Sequence, residues 1–510
     1  MIGDAPVVEA VPAPQKSLRA KAITSVIWSV ARVGGDQIFN FIVFAVLARF
    51  LSPAQFGIFI VAMITAEVGK VIAQGGLVSS LYRVPVVTAQ VADTIFWTNT
   101  AISILYAAAM ASSARYVAIA LGSAEAAPLI FALAFVVPVS AAGATHMARN
   151  LLEFGHKALA VRSLLGGLVG GALAIAAAWQ GWGIWALVVQ RLSVEIIGTL
   201  VAWYSFSWRP TFQFSFRVLR EQYGLGLGVA GSQLLFIVLN RLQDVIIGRM
   251  IGLYQVGIYR TSWKTIEVIV QGAIIPVSTV SLPVLSKLRD DEAAVKRNYL
   301  KMLSAGSLLA FPAITGGGAV AGVLIPLLYG RQWEQSIPVA WVLAFMAPAF
   351  VLNSFGDAAL TVKGHPKVIL WRAIVQIVLT LLFCIPAAQY GIIWFAVAFV
   401  AHEYVAQIFQ LTMFARATSI RVTEIVGAVR IPVIASIAMV AVLGALQWLV
   451  PIGQSASGGV QIVYLLALVG CGILSYAGLV FALMKKSERR EAFSIRTYLP
   501  GDHLIKSDGG

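Results

Sequence analysis

Twelve ionisable residues sit inside stretches of this sequence that are otherwise apolar. Six are bases, Arg32, Lys70, Arg191, Arg241, Arg260 and Lys264, and six are acids, Asp36, Glu67, Glu195, Asp244, Glu267 and Glu403. Guanidinium and ammonium groups suit anionic oxygens, and carboxylates can pair with those bases or carry a proton or a cation. The spacing is helical. Arg32, Asp36 and Asn40 recur at i, i+4 and i+8, Glu67 and Lys70 at i, i+3, and Arg191 and Glu195 at i, i+4. Arg241 and Asp244 stand at i, i+3 with Asn240 on the face of Asp244, and Arg260, Lys264 and Glu267 at i, i+4 and i+7. Each set therefore forms a stripe along one helix. His402-Glu403 has the form of a proton-relay pair, and Asn40 and Asn240 suit hydrogen bonds between helices. No metal-ligand cluster, nucleotide loop or nucleophile–base spacing appears. The glycine-rich runs at 166–171 and 316–318 lie in apolar stretches and read as close packing or hinges.

The elements that position these residues are membrane helices. The chain has 510 residues, of which 59% are hydrophobic and 12% charged, against roughly 25% charged in a soluble domain. Apolar runs of about 18 residues or more recur throughout, each long enough to cross a ~30 Å hydrocarbon core. The class is an all-α polytopic membrane protein, since barrels show short alternating strands instead. Helices are expected at roughly 23–50, 54–78, 92–121, 127–149, 157–178 and 182–205, again at roughly 222–251, 255–283, 298–328, 336–356, 366–388 and 391–414, and finally at roughly 427–450 and 460–484. That makes about fourteen transmembrane helices. Cys384 and Cys471 both lie in apolar runs and read as small buried hydrophobes. Residues 1–21 lack the order of a signal peptide and read as a disordered tail, as do 485–510.

The chain repeats itself. Asn40 and Asn240, Arg49 and Arg249, Gln55 and Gln255, Gly57 and Gly257, Ile58 and Ile258, and Glu67 and Glu267 keep one constant offset. Gly155-His156-Lys157 returns as Gly364-His365-Pro366-Lys367, and Gly181-Trp182-Gly183-Ile184-Trp185 as Tyr390-Gly391-Ile392-Ile393-Trp394. Two parallel-repeat six-helix bundles are implied, at 22–207 and 222–414, because an even helix number gives both halves one orientation. Residues 208–221 join them as an interfacial linker in which aromatic and basic residues interleave, and 415–484 add two C-terminal helices. With both termini and the even-numbered connections on one side, that side holds 27 Lys and Arg, Arg162 and Arg372 among them, and the other side 4. Both termini are therefore expected in the cytoplasm. This placement accounts for most of the +15 net charge and leaves no case for nucleic acid.

One charge at mid-bilayer costs ~2.5–3.5 kcal/mol. Twelve facing lipid would cost on the order of 30 kcal/mol, above the stability of a typical domain. They must face protein or water. Their concentration in helices 1, 2, 7 and 8, which correspond between the repeats, predicts that the two bundles surround one central hydrophilic cavity. The alternative is local ion pairing that only fixes helix packing.

With these residues in hand, the chain resembles the polysaccharide-transporter branch of the multidrug/oligosaccharidyl-lipid/polysaccharide exporter superfamily, of the Wzx or exopolysaccharide-export type. The carriers are Ala48-Arg49-Phe50-Leu51-Ser52-Pro53-Ala54-Gln55-Phe56-Gly57, close to that family's ARxLSPxxFG pattern, and Thr94-Ile95-Phe96-Trp97 at the start of the third helix. The resemblance implies a flippase that exports an undecaprenyl-diphosphate-linked oligosaccharide across the bacterial inner membrane by alternating access, without enzymatic activity. It implies membrane lipids, polymerase and chain-length proteins as partners, and a coupling proton or sodium ion in place of any cofactor. Arg32, Arg241, Arg260 and Lys264 would then contact diphosphate or sugar. Asp36, Glu67, Lys70, Asp244 and Glu267 would gate or bind the coupling ion. A multidrug or cation antiporter of the same superfamily and a non-transporting scaffold in polysaccharide assembly are the other readings.

Overall fold

A computed structural model describes residues 35, 37–84, 87–153, 155–418, 420–451 and 458–484. Arg32, Asp36 and both tails lie outside the described residues. The described chain is helical throughout and contains no strand. The helices are α1 (Gln37–Phe50), α2 (Pro53–Gln74), α3 (Ala89–Ala120), α4 (Ala124–Leu152), α5 (His156–Trp179), α6 (Trp185–Tyr204) and α7 (Phe216–Met250). There follow α8 (Leu253–Lys287), α9 (Glu292–Ala319), α10 (Ser336–Ala344 and Ala347–Val362, bent by 49°), α11 (Pro366–Ala388), α12 (Ile392–Ala417), α13 (Val422–Leu449) and α14 (Gly458–Leu483). Eleven of the described helices are long and apolar enough to cross a membrane, and bent α10 makes a twelfth. The 35-residue α8 is longer than a bilayer crossing requires and carries Arg260, Lys264 and Glu267.

Two compact units divide the chain. The first comprises residues up to 50 together with 62–234, and the second comprises 51–61 together with 235 onward. In the first unit α5 packs closely on α6. The glycine run makes this possible: a methyl group on Gly170 would lie 2.7 Å from Val194 Cγ2 and 3.1 Å from Gln190 O, while Gly171 faces Phe39 and Val43 of α1. In the second unit Gly317 meets Ile269 and Gly318 meets the Ala344 methyl group in the same way. There α13 and α14 pack beside α9 around Val320, Ala435, Met439, Leu443 and Leu468. Tyr476 of α14 donates to Leu308 O at 3.0 Å.

Several boundaries differ from the expected ones: α9 already starts at Glu292 and α10 runs on to Val362. The linker is shorter, because α7 begins at Phe216 and the Ser215 hydroxyl accepts from Val218 N at 3.4 Å to cap it. The expected span at 298–328 ends at Ala319, and a separate short helix, Ala321–Tyr329, continues from it. Cys384 is buried as expected, whereas Cys471 is exposed on α14, a correction to its reading as a buried side chain. The surface around it carries exposed Leu466, Ile473 and Leu474, so the thiol remains among apolar groups.

Candidate functional site

The first unit gathers three bases on one carboxylate. Arg191 and Glu195 stand one turn apart on α6, with Arg191 Nη2 2.8 Å from Glu195 Oε1. Lys70 of α2 reaches the same oxygen at 2.7 Å, and Arg162 of α5 comes within 3.8 Å of Oε2. The Glu195 side chain is 4% exposed, while the three bases keep 24–30% of theirs exposed. Spacing along α2 puts Lys70 beside Glu67. Lys70 goes instead to Glu195, whose side chain is almost fully buried. The loop count assigns Arg162 to the cytoplasmic connections; the structure places it inside α5, held by the same acid.

The second unit repeats the pattern with one base fewer. Asp244 of α7 is fully buried, and Arg260 of α8 grips both its oxygens through Nε and Nη2. Arg241 Nη1 stands 3.6 Å from Asp244 Oδ2. Arg260 also donates to Asn240 O, whereas the Asn240 side chain donates to Phe236 O one turn back on α7. The asparagine thus links α7 to α8 through its backbone carbonyl and not its amide. Lower on α8, Lys264 pairs with Glu267 at 3.1 Å, and Gln271 donates to the other Glu267 oxygen at 3.3 Å.

Beside Arg260 lies a polar cavity of about 190 Å³. Arg372 of α11, a loop cation by the same count, lines it and makes a two-pronged bond to Asp357 of α10 at 2.7 and 2.9 Å. Gln376 donates to both Glu403 oxygens at 3.0 Å. His402 has both ring nitrogens engaged, Nε2 with Thr380 at 2.8 Å and Nδ1 with Phe399 O. His402 and Glu403, which have the form of a relay pair in the sequence, have their atoms 3.9 Å apart, with each residue bonded to other partners. A second, apolar groove of about 1010 Å³ runs along α9, α13 and α14, lined by Leu308, Pro312, Gly316, Met439, Leu468 and Gly472.

Two sequence motifs acquire physical roles. Ser52 and Gln55 form a reciprocal cap on α2: Ser52 N donates to Gln55 Oε1 at 3.0 Å, and Gln55 N to Ser52 Oγ at 3.3 Å. The residues opening α3 hold the linker. Asp93 Oδ2 accepts from Thr211 N at 3.1 Å, from Gln213 N at 3.3 Å and from the Thr211 hydroxyl. Thr94 Oγ1 accepts from Ser215 N at 3.1 Å, and Trp97 donates to Thr211 O at 2.6 Å while stacking on Phe212. Sequence reasoning passes over Asp93, Asp357 and Gln376; only the position of Asp93 beside Thr94-Ile95-Phe96-Trp97 points to one of them.

Known proteins match along most of the chain. A family model described as "Polysaccharide biosynthesis protein" matches residues 46–338. The succinoglycan biosynthesis transport protein ExoT of Rhizobium meliloti (strain 1021) is 26% identical over 71% of this chain and 74% of its own. The lipopolysaccharide biosynthesis protein WzxC of Escherichia coli (strain K12) is 23% identical over 67% and 69%. Among solved structures, the lipid II flippase MurJ in an inward closed conformation shares the fold, with a TM-score of 0.69 at 13% identity, over 89% of this chain and 98% of that one. The chain belongs to the polysaccharide biosynthesis protein family.

Proposed function

We propose that the protein is a flippase exporting an undecaprenyl-diphosphate-linked oligosaccharide across the bacterial inner membrane, for surface or exopolysaccharide synthesis, by ion-coupled alternating access. The observation that carries this reading is the local surplus of base over acid in the first unit, where three cations gather on Glu195. Surplus guanidinium groups in a membrane segment are costly unless they meet an anion. A diphosphate supplies oxygens that fit the guanidinium fork. The apolar groove along α9, α13 and α14 suits the prenyl chain of such a lipid. The names of ExoT and WzxC point to saccharide export and assembly, and that of the lipid II flippase MurJ to a lipid-linked substrate.

In this reading Arg241, Arg260 and Lys264, with Arg32 beyond the described residues, contact the diphosphate or sugar. Asp244, Glu267, Glu67 and Lys70, with Asp36, act as gating pairs or hold a coupling proton or sodium ion. The basic-loop bias supports cytoplasmic termini, where polymerase and chain-length proteins of polysaccharide assembly would meet the transporter. A cation antiporter needs acids in excess, and the Glu195 cluster has the opposite balance.

The test is export in a deletion strain. Loss of the gene is expected to stop polymer reaching the surface or medium and to accumulate its lipid-linked precursor. Wild-type protein should restore export, and Arg241→Ala should be found in the membrane without restoring it. Normal export by Arg241→Ala would remove that residue from the substrate path.

A further inference from the structure

Where α6 gives way to α7 in the first unit, the chain turns its aromatic rings outward. Tyr204 is 87% exposed, Phe212 86%, Phe216 74% and Phe214 50%. Rings on a membrane span are exposed because lipid covers them, but this segment is not part of a span. The apolar stretch of α6 ends at Tyr204, and that of α7 starts only at Gly226. Between them stand three bases, Arg209, Arg217 and Arg220, and one acid, Glu221. Water disfavours the clustered rings and hydrocarbon disfavours the charges. The headgroup layer at the end of a span suits both.

The backbone beneath is held, and this fixes which side faces out. Asp93 and Thr94 accept from the amides of Thr211, Gln213 and Ser215. The first turns of α7 then pack Leu219 and Tyr223 against the buried Leu81 and Ile95. Gly76, after α2, lies so close to α7 that a methyl group on it would stand 2.0 Å from Gly226 O. With Leu219 and Tyr223 turned inward, Phe216, Arg217 and Arg220 are left on the outer face. The Arg217 side chain is 89% exposed and meets Glu221 at 3.2 Å, an exposed pair of the kind that contributes least. Arg209 is occupied within the segment, donating to Phe206 O at 2.7 Å and to Trp208 O at 2.9 Å.

We propose that this segment is a docking surface for anionic phospholipid. Arg217 and Arg220 take the lipid phosphate, and the four exposed rings settle among the glycerol groups and upper acyl chains. Free phosphate would satisfy the bases but leave the rings in water. An acidic protein is the other class of partner with matching charge, but the spans on either side place this surface at headgroup depth, where lipid is the neighbour at hand. The inference concerns the lipid around the protein and not its cargo. It ties to the membrane surface the first turns of the helix that carries Arg241 and Asp244.

The experiment uses the full-length protein in phosphatidylcholine nanodiscs. Cys471→Ala removes the exposed thiol, Cys384 is buried, and Gln213→Cys places a bimane label on the exposed segment without touching a ring or a base. The probes are phosphatidylglycerol and phosphatidylcholine, each with a nitroxide near the head of one acyl chain and added at equal fractions. Phosphatidylglycerol is expected to quench the label more strongly, and less so as salt rises. Arg217→Gln with Arg220→Gln should cut that preference by about fivefold and melt as the parent does. Glu221→Gln should raise the preference, a sign that a merely structural role would not produce. Arg289→Gln, in a different exposed loop, should leave it unchanged. Quenching that does not distinguish the two lipids, the result an acidic protein partner predicts, overturns the proposal. So does a preference that neither the double variant nor Glu221→Gln alters.

Discussion

Gly57 and Gly257 are crossed partners: a methyl group on Gly57 would lie 1.8 Å from Leu253 O, and one on Gly257 would lie 2.0 Å from Pro53 O. Each glycine of the repeat thus lies against the first residue of the other's helix, within the second unit. Both obstacles are backbone carbonyls, which cannot rotate away as a side chain would.

Gly57→Ala and Gly257→Ala are accordingly expected to destabilise the protein by about 1–3 kcal/mol through overpacking. Gly228→Ala has nothing within 4 Å of the added methyl group and serves as the neutral control. Thermal melts of the purified protein in one detergent would rank the three. Equal melting temperatures would mean that the crossing is loose.

Glu195 is expected to matter more to folding than any base that holds it. Glu195→Ala leaves Lys70, Arg162 and Arg191 without their shared anion, and breaking a buried pair costs about 3–5 kcal/mol. Lys70→Met leaves Glu195 still bonded to Arg191 and should cost clearly less. The amount of protein in purified membranes, followed by a melt, reads the difference.

Arg260 offers a separation of folding from transport. Arg260→Ala leaves the buried Asp244 carboxylate with only the more distant Arg241 and should lower membrane levels several-fold, and Arg260→Lys should rescue poorly because Asp244 is gripped through two nitrogens. The double variant Arg260→Ala with Asp244→Ala is expected to recover its membrane level but not polymer export. Restored export in the double variant would make the pair purely structural.

The linker should detach when its anchor is cut. Asp93→Ala removes one acceptor of two backbone amides and a hydroxyl, a change worth about 1–3 kcal/mol. A cysteine placed at the exposed Phe212 should then react faster with a water-soluble maleimide than in the Asp93 parent. Unchanged labelling would show that Trp97 and Thr94 hold the segment alone.

The amino-acid order by itself determined the membrane class, the placing of most helices and the twofold repetition. These follow from local quantities: apolar length against bilayer thickness, helical period, and identical residues at one offset. It also determined that the intramembrane charges cannot face lipid, because the cost is additive over residues. Tertiary structure decided which acid each base takes. Lys70 bonds Glu195 and passes over the nearby Glu67, Arg162 and Arg372 leave the loop count for partners on other helices, and Asp93 reaches more than a hundred residues along the chain to Thr211. Periodicity states which residues share a helix face, but not which face meets which; that choice belongs to the packing of helices far apart in sequence. The cavity beside Arg260 exists only through such packing, since α7, α8, α10, α11 and α12 each supply part of its wall.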